Sequence, residues 1–101
     1  MAVIHASNDN FNDLIKEGTV IIDVFATWCG PCKMLGPVVE ELSNKYTDIK
    51  FIKVDSDECE EIARSFGVMS IPTIIKMQDG KEIDKRIGYI NIDDFDTWLN
   101  K

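Results

Sequence analysis

The hexapeptide Val20-Ile21-Ile22-Asp23-Val24-Phe25 constrains the fold more than any other stretch of this chain. A strand with one wet face alternates apolar and polar residues, whereas this run is apolar and mostly β-branched on both faces, so both must be covered. That is the signature of a central strand in a sheet with helices packed on each side. Asp23 is its one polar residue, and burial there raises a carboxyl pKa by roughly 2–4 units, toward the range where it can exchange protons near neutrality. A carboxylate in such a place needs a reason.

Elements on either side support an α/β reading. A short strand is expected at Ala2 to His5, followed by a helix capped by Ser7 or Asn8 that carries Phe11, Leu14 and Ile15 to about Lys16 and ends at Gly18. After the central strand, Leu35, Val38, Val39, Leu42 and Tyr46 recur on one helical face, with Pro37 inside the helix as a bend. Phe51 to Val54 is strand-like, and Ser56 can cap a short helix running to about Phe66 and closed by Gly67. Thr73 to Met77 and Lys81 to Ile87 flank an Asp79-Gly80 pair, a strong hairpin signal. Asn91 caps a last helix with Ile92, Phe95, Trp98 and Leu99 on one face. The order βαβαβαββα implies a mixed sheet with helices on both faces, and 101 residues suit a single domain spanning 1–101.

Chemistry concentrates at Trp28-Cys29-Gly30-Pro31-Cys32-Lys33, between the buried strand and an amphipathic helix. Cys29 falls at the helix N-terminus, where free amide N–H groups and the helix dipole favour a thiolate, so it is the expected nucleophile. Gly30 lets the backbone tighten, and Pro31 suits the first helical turn because its missing N–H is not needed there. Cys32, one turn deeper, is shielded and suited to resolve a mixed disulfide that Cys29 forms. Asp23, six residues before Cys29, is the candidate base for that second attack, with Lys53 on a neighbouring strand as its charge partner. Trp28 is either a packing aromatic or a flat lid beside Cys29 that meets extended substrates.

A zinc half-site is the competing chemistry for the cysteines, since Cys59 and His5 complete a Cys3His set by count. Structural zinc sites show two clustered ligand pairs, and Cys59 and His5 are isolated from each other, so a redox dithiol is preferred and no metal is expected. Cys59 itself reads as an inert thiol at the start of a helix, with a regulatory thiol open to intermolecular disulfides or modification as the alternative. A net charge of −7 opposes phosphate backbones and anionic lipid, so neither nucleic acid nor membrane is an expected partner. The N-terminus has no basic n-region followed by an apolar stretch, which makes a cytoplasmic location the default expectation, and a monomer is expected.

Asp23-Val24-Phe25-Ala26-Thr27-Trp28-Cys29-Gly30-Pro31-Cys32-Lys33 resembles the active-site segment of the thioredoxin family, and Ser70-Ile71-Pro72-Thr73 resembles its second signature. Pro37, Lys53, Gly80 and Gly88 also stand where that family has them, so the resemblance covers essentially the whole chain. It implies a thioredoxin fold, in which a five-stranded sheet of order 1-3-2-4-5 is flanked by four helices and a cis bond precedes Pro72. It further implies that Pro72 lies against the cysteines. The backbone of Met69 to Ile71 would pair with an extended substrate, and Trp28, Ile71 and Gly88 would line the groove. Gly30, Pro31 and Lys53 would tune the redox couple, and the Gly30-Pro31 pair matches reducing members. The implied activity is reduction of disulfides in other proteins, with recycling by thioredoxin reductase using NADPH and no cofactor held by this chain. Two departures stand out: Phe25 replaces a common tryptophan, and Lys76 interrupts an apolar strand, where exposure or snorkelling to water is expected. An accessory subunit of another complex and an oxidase or isomerase of the same fold are the competing functions.

Overall fold

A computed structural model describes residues 3–101. The elements run β1 (Val3–His5), α1 (Phe11–Ile15), β2 (Thr19–Phe25), α2 (Gly30–Lys45), β3 (Lys50–Asp55), α3 (Glu60–Ser65), β4 (Thr73–Gln78), β5 (Lys81–Ile87) and α4 (Ile92–Leu99). Ala2 of the expected first strand lies outside the described residues. The sheet order is β1-β3-β2-β4-β5, with β2 parallel to β3 and antiparallel to β4.

Both faces of β2 are covered, as its composition requires. Val20, Ile22 and Val24 join Phe11, Ile52, Val54, Ile62 and Ile75 in one core beneath α1 and α3. Ile21 joins Leu35, Val39, Leu42, Phe51, Ile74, Phe95 and Trp98 in the other, beneath α2 and α4. Strand alternation puts Asp23 on the α2 side with Ile21, and Phe25 two residues further along that face. α2 runs unbroken through Pro37.

Two helices start later than their cap residues suggest. Ser7 and Asn10 bond reciprocally, Ser7 N–H to Asn10 Oδ1 at 2.7 Å and Asn10 N–H to Ser7 Oγ at 3.3 Å, which makes a turn and delays α1 to Phe11. Ser56 gives its N–H to the Phe25 carbonyl at 2.8 Å, so it prolongs the sheet instead of capping α3. The Asp55 carboxylate then holds the amides of Asp57 and Glu58 in a turn before α3 begins at Glu60.

Lys76 corrects an expectation, because its side chain neither lies exposed nor reaches water. It is 8% exposed, its Nζ donates to the Leu99 carbonyl at 3.2 Å, and it lies 5.9 Å from the Trp98 ring centroid. The last carbonyls of a helix lack partners within the helix and carry the negative end of its dipole, so a buried ammonium is satisfied there. Trp98 in turn donates its indole N–H to Asp84 at 2.7 Å, joining α4 to β5. The β4–β5 hairpin turns on Asp79 and Gly80, with φ of 50° and 84°, as the Asp-Gly pair indicates.

Asn91 caps α4 as expected, its Oδ1 accepting the Asp94 N–H at 2.9 Å. Asn91→Ala is expected to lower stability by about 1 kcal/mol. A urea titration checks this as a reduced midpoint at unchanged slope.

Candidate functional site

Cys29 occupies the N-cap of α2, in extended conformation, with Pro31 in the first turn. The two cysteines are joined as a disulfide with Cα atoms 5.3 Å apart. The Cys29 sulfur takes the place of a capping oxygen and accepts the Cys32 N–H at 3.3 Å. An amide donor and a helix dipole both point at this sulfur, which favours its anionic form when the disulfide is open. Both cysteines are largely buried, in a small cluster with Ala26 that Phe25 and Ile71 flank.

The second signature meets the pair from the other side. The Ile71–Pro72 bond is cis, Pro72 is buried, and the Ile71 carbonyl oxygen lies 3.9 Å from Cys29 Sγ. Gly88 donates its N–H to the Pro72 carbonyl at 2.8 Å with φ of 91°, a left-handed conformation that favours glycine. Trp28, next to Cys29, is 69% exposed, and Met69, two residues before Ile71, is 95% exposed. Ile87, in register with Thr73, is also exposed and extends this apolar rim, although its sequence gave no sign of it.

Asp23 is 1% exposed and neither carboxylate oxygen has a hydrogen-bond partner. Burial pushes its pKa up from the ordinary 3.8 to about 6, against the smaller opposing pull of the Lys53 charge. Lys53 is Asp23's register partner on β3, yet no ion pair closes between them. Its ammonium lies 4.4 Å from the Phe25 ring centroid instead, an interaction worth about 0.5–1 kcal/mol. A cavity of about 300 Å³ is bordered by Phe25, Ala26, Cys32, Gly36 and Lys53.

The family model described as thioredoxin matches residues 2–101. The chain belongs to the thioredoxin family. It is 43% identical over 90 residues to the thioredoxin of Bacillus subtilis (strain 168), covering 88% of this chain and 86% of that one. It is 44% identical over 95 residues to the thioredoxin of Chlamydia muridarum, covering 94% and 93% of the two chains. A solved chain is superposable with a TM-score of 0.89 at 36% identity, covering 98% of this chain and 94% of that one. That structure comes from a study of thiol resolution in yeast mitochondrial 1-Cys peroxiredoxin through the glutathione and thioredoxin systems. As a thioredoxin-family chain, the protein is a thiol–disulfide oxidoreductase that reduces protein disulfides through the reversible Cys29–Cys32 couple.

The residues singled out from sequence thus fall into one neighbourhood: Cys29, Cys32, Gly30 and Pro31 at the head of α2, Asp23 and Lys53 beneath it, and Trp28, Met69, Ile71, Pro72 and Gly88 around it. Cys59 and His5 do not join them. Cys59 is buried at the start of α3 with its sulfur 4.0 Å from the Ala6 carbonyl oxygen, and burial raises its pKa. His5 is exposed and meets the Phe25 ring edge-on. Among the described residues no group of three His, Cys, Asp or Glu side chains is arranged to hold a metal. Asp57 was not foreseen: it accepts the Trp28 indole N–H at 2.9 Å and fixes the tryptophan against the approach to α3. No local signal marks a pairing across so many residues.

Asp23 also sets a pH dependence of stability. Its folded pKa lies above its unfolded one, so between about pH 4 and 6 the folded chain keeps a proton that the unfolded chain has released, and stability falls as pH rises. Asp23→Asn removes this penalty. Relative to the parent, the variant is expected to gain stability across that window, by up to about 3 kcal/mol above pH ~7, with no further change below pH ~4. Denaturant titrations of both proteins from pH 3.5 to 8 check the sign and the window.

Proposed function

We propose that Cys29 is the attacking thiolate, Cys32 the resolving thiol and Asp23 the group that takes the proton from Cys32. The reduced chain attacks one sulfur of a substrate disulfide through Cys29. The substrate S–S bond breaks, a Cys29–substrate disulfide forms, and the other substrate sulfur leaves as a thiolate that takes up a proton. The Cys32 thiol then gives its proton to the Asp23 carboxylate and its sulfur attacks Cys29. The mixed disulfide breaks, the Cys29–Cys32 bond forms, and the second substrate sulfur leaves reduced. Two electrons pass from the dithiol to the substrate, and the Asp23 proton returns to solvent.

The observation that carries this assignment is the Cys32 amide donating to Cys29 Sγ at the N-cap of α2. It distinguishes the two sulfurs, since only Cys29 sits where amide N–H groups converge. Asp23 fits the base because its burial brings its proton affinity near neutrality, where a carboxylate can both take and release a proton. The exposed Trp28, Met69 and Ile87, with the backbone of Met69 to Ile71 outside the strands, suit an extended, partly apolar substrate segment.

Family membership brings disulfide-bearing proteins and a thioredoxin reductase as partners in general. The finer reading is a cytoplasmic monomer that holds no cofactor and is returned to the dithiol state by a flavin-containing reductase drawing on NADPH. Among the described residues no helix is long and apolar enough to cross a membrane.

Cys29→Ser is expected to abolish reduction of a model protein disulfide, whereas Cys32→Ser traps the mixed disulfide, visible by mass spectrometry. The reduction potential of the couple, titrated against a dithiol buffer, is expected near about −270 mV. A value near about −120 to −180 mV instead assigns the protein to oxidation or isomerisation.

A further inference from the structure

Asp23 and Lys53 are register partners on adjacent parallel strands, so their side chains leave the sheet side by side on the face beneath α2. A carboxylate and an ammonium so placed ordinarily close into an ion pair. Here they do not: both Asp23 oxygens are unpartnered, while the Lys53 ammonium lies 4.4 Å from the centroid of Phe25. Phe25 follows Asp23 by two residues on the same strand face, which brings its ring within reach of the lysine. His5, the register partner of Lys53 on β1, meets the same ring edge-on at 6.5 Å between centroids and 82° between planes. The ring is thus held by contacts on two sides, ammonium over its face and imidazole at its edge.

We propose that Phe25 is a positioning residue whose ring draws the Lys53 ammonium along the strand and away from the Asp23 carboxylate. The quadrupole of an aromatic face attracts a cation, and an aliphatic side chain of similar bulk has no such attraction. The consequence falls on the proton acceptor, since a closed ion pair holds a carboxylate ionised to lower pH. A carboxylate locked in that way accepts a proton from Cys32 poorly. The inference rests on Asp23 as the proton acceptor, but the position of Lys53 can be read independently of it.

The groups facing Asp23 are few. Among the described residues β3 contributes Lys53 and β4 the apolar Ile74 as register partners, and Cys32 on the α2 that covers this face does not titrate in the disulfide form. Lys33 of α2 borders the cavity, and His5 of β1 lies one strand beyond Lys53. Asp55, opposite Phe25, spends its carboxylate on the amides of Asp57 and Glu58.

The test is a carbon-13 NMR titration of the Asp23 carboxyl in the oxidised protein, with His5 followed through its own ring resonances. Phe25→Leu is expected to lower the Asp23 pKa by about 1 pH unit as Lys53 closes on it. Phe25→Trp and Phe25→Tyr, which keep a ring, are expected to leave it near the parent value. In a Lys53→Met background the leucine substitution is expected to have no effect. An unchanged pKa in Phe25→Leu overturns the proposal. So does a decrease that persists undiminished without Lys53, since the ring would then act only by excluding water. The parent protein gives a reading that needs no variant: the Lys53 ε-protons are expected upfield of their usual position from the ring current, and normal shifts overturn the proposal. If the Asp23 pKa moves in Phe25→Leu while the pH profile of mixed-disulfide resolution does not, the positioning stands and the base assignment fails.

Discussion

Removing β2 from water on both faces is the constraint on which the rest of this molecule depends. A strand so apolar leaves the chain no arrangement but a central one, with α1 and α3 on one side and α2 and α4 on the other. The same burial governs the chemistry, because it surrounds the single carboxylate of that strand with a medium that penalises charge. The core and the raised proton affinity of Asp23 therefore have one physical origin. A fold-stabilising strand carries a destabilising residue at its centre, the kind of local conflict that accompanies function.

The helix that follows β2 adds the second half of the design. Its N-terminus presents unused amides at the point where the strand delivers the chain, and a cysteine there inherits a donor without any side chain being recruited. The second sulfur is placed by helical geometry alone, one turn on. Neither placement depends on distant parts of the chain. The distant parts, Pro72 and Gly88 with their loops, meet the cysteine pair from its other side.

What was legible in the sequence divides along the same line. The sheet order came with the family resemblance, whereas the Cys29–Cys32 pair, buried Asp23, the Asp79-Gly80 turn and the Asn91 cap could be read because each is fixed by neighbours within a few residues. Lys76 could not, since its satisfaction depends on the Leu99 carbonyl, which α4 brings over the sheet only after folding. The Trp28–Asp57 bond and the Lys53–Phe25 contact are likewise choices of side-chain direction among elements far apart in sequence. Ser7 and Ser56 looked like helix caps because serine suits that role. One instead turns with Asn10 and the other extends the sheet, outcomes that propensity alone does not distinguish.

The bond from Trp28 to Asp57 also has a bearing on encounter. Asp57 belongs to a surface hollow whose walls include Glu58, Glu60 and Glu61, so the apolar rim around the disulfide stands beside an anionic bank. Long-range attraction and short-range fit are thereby assigned to different residues. Such a bank attracts positive charge from a distance in a manner that salt weakens, while the rim offers apolar contact only at close range.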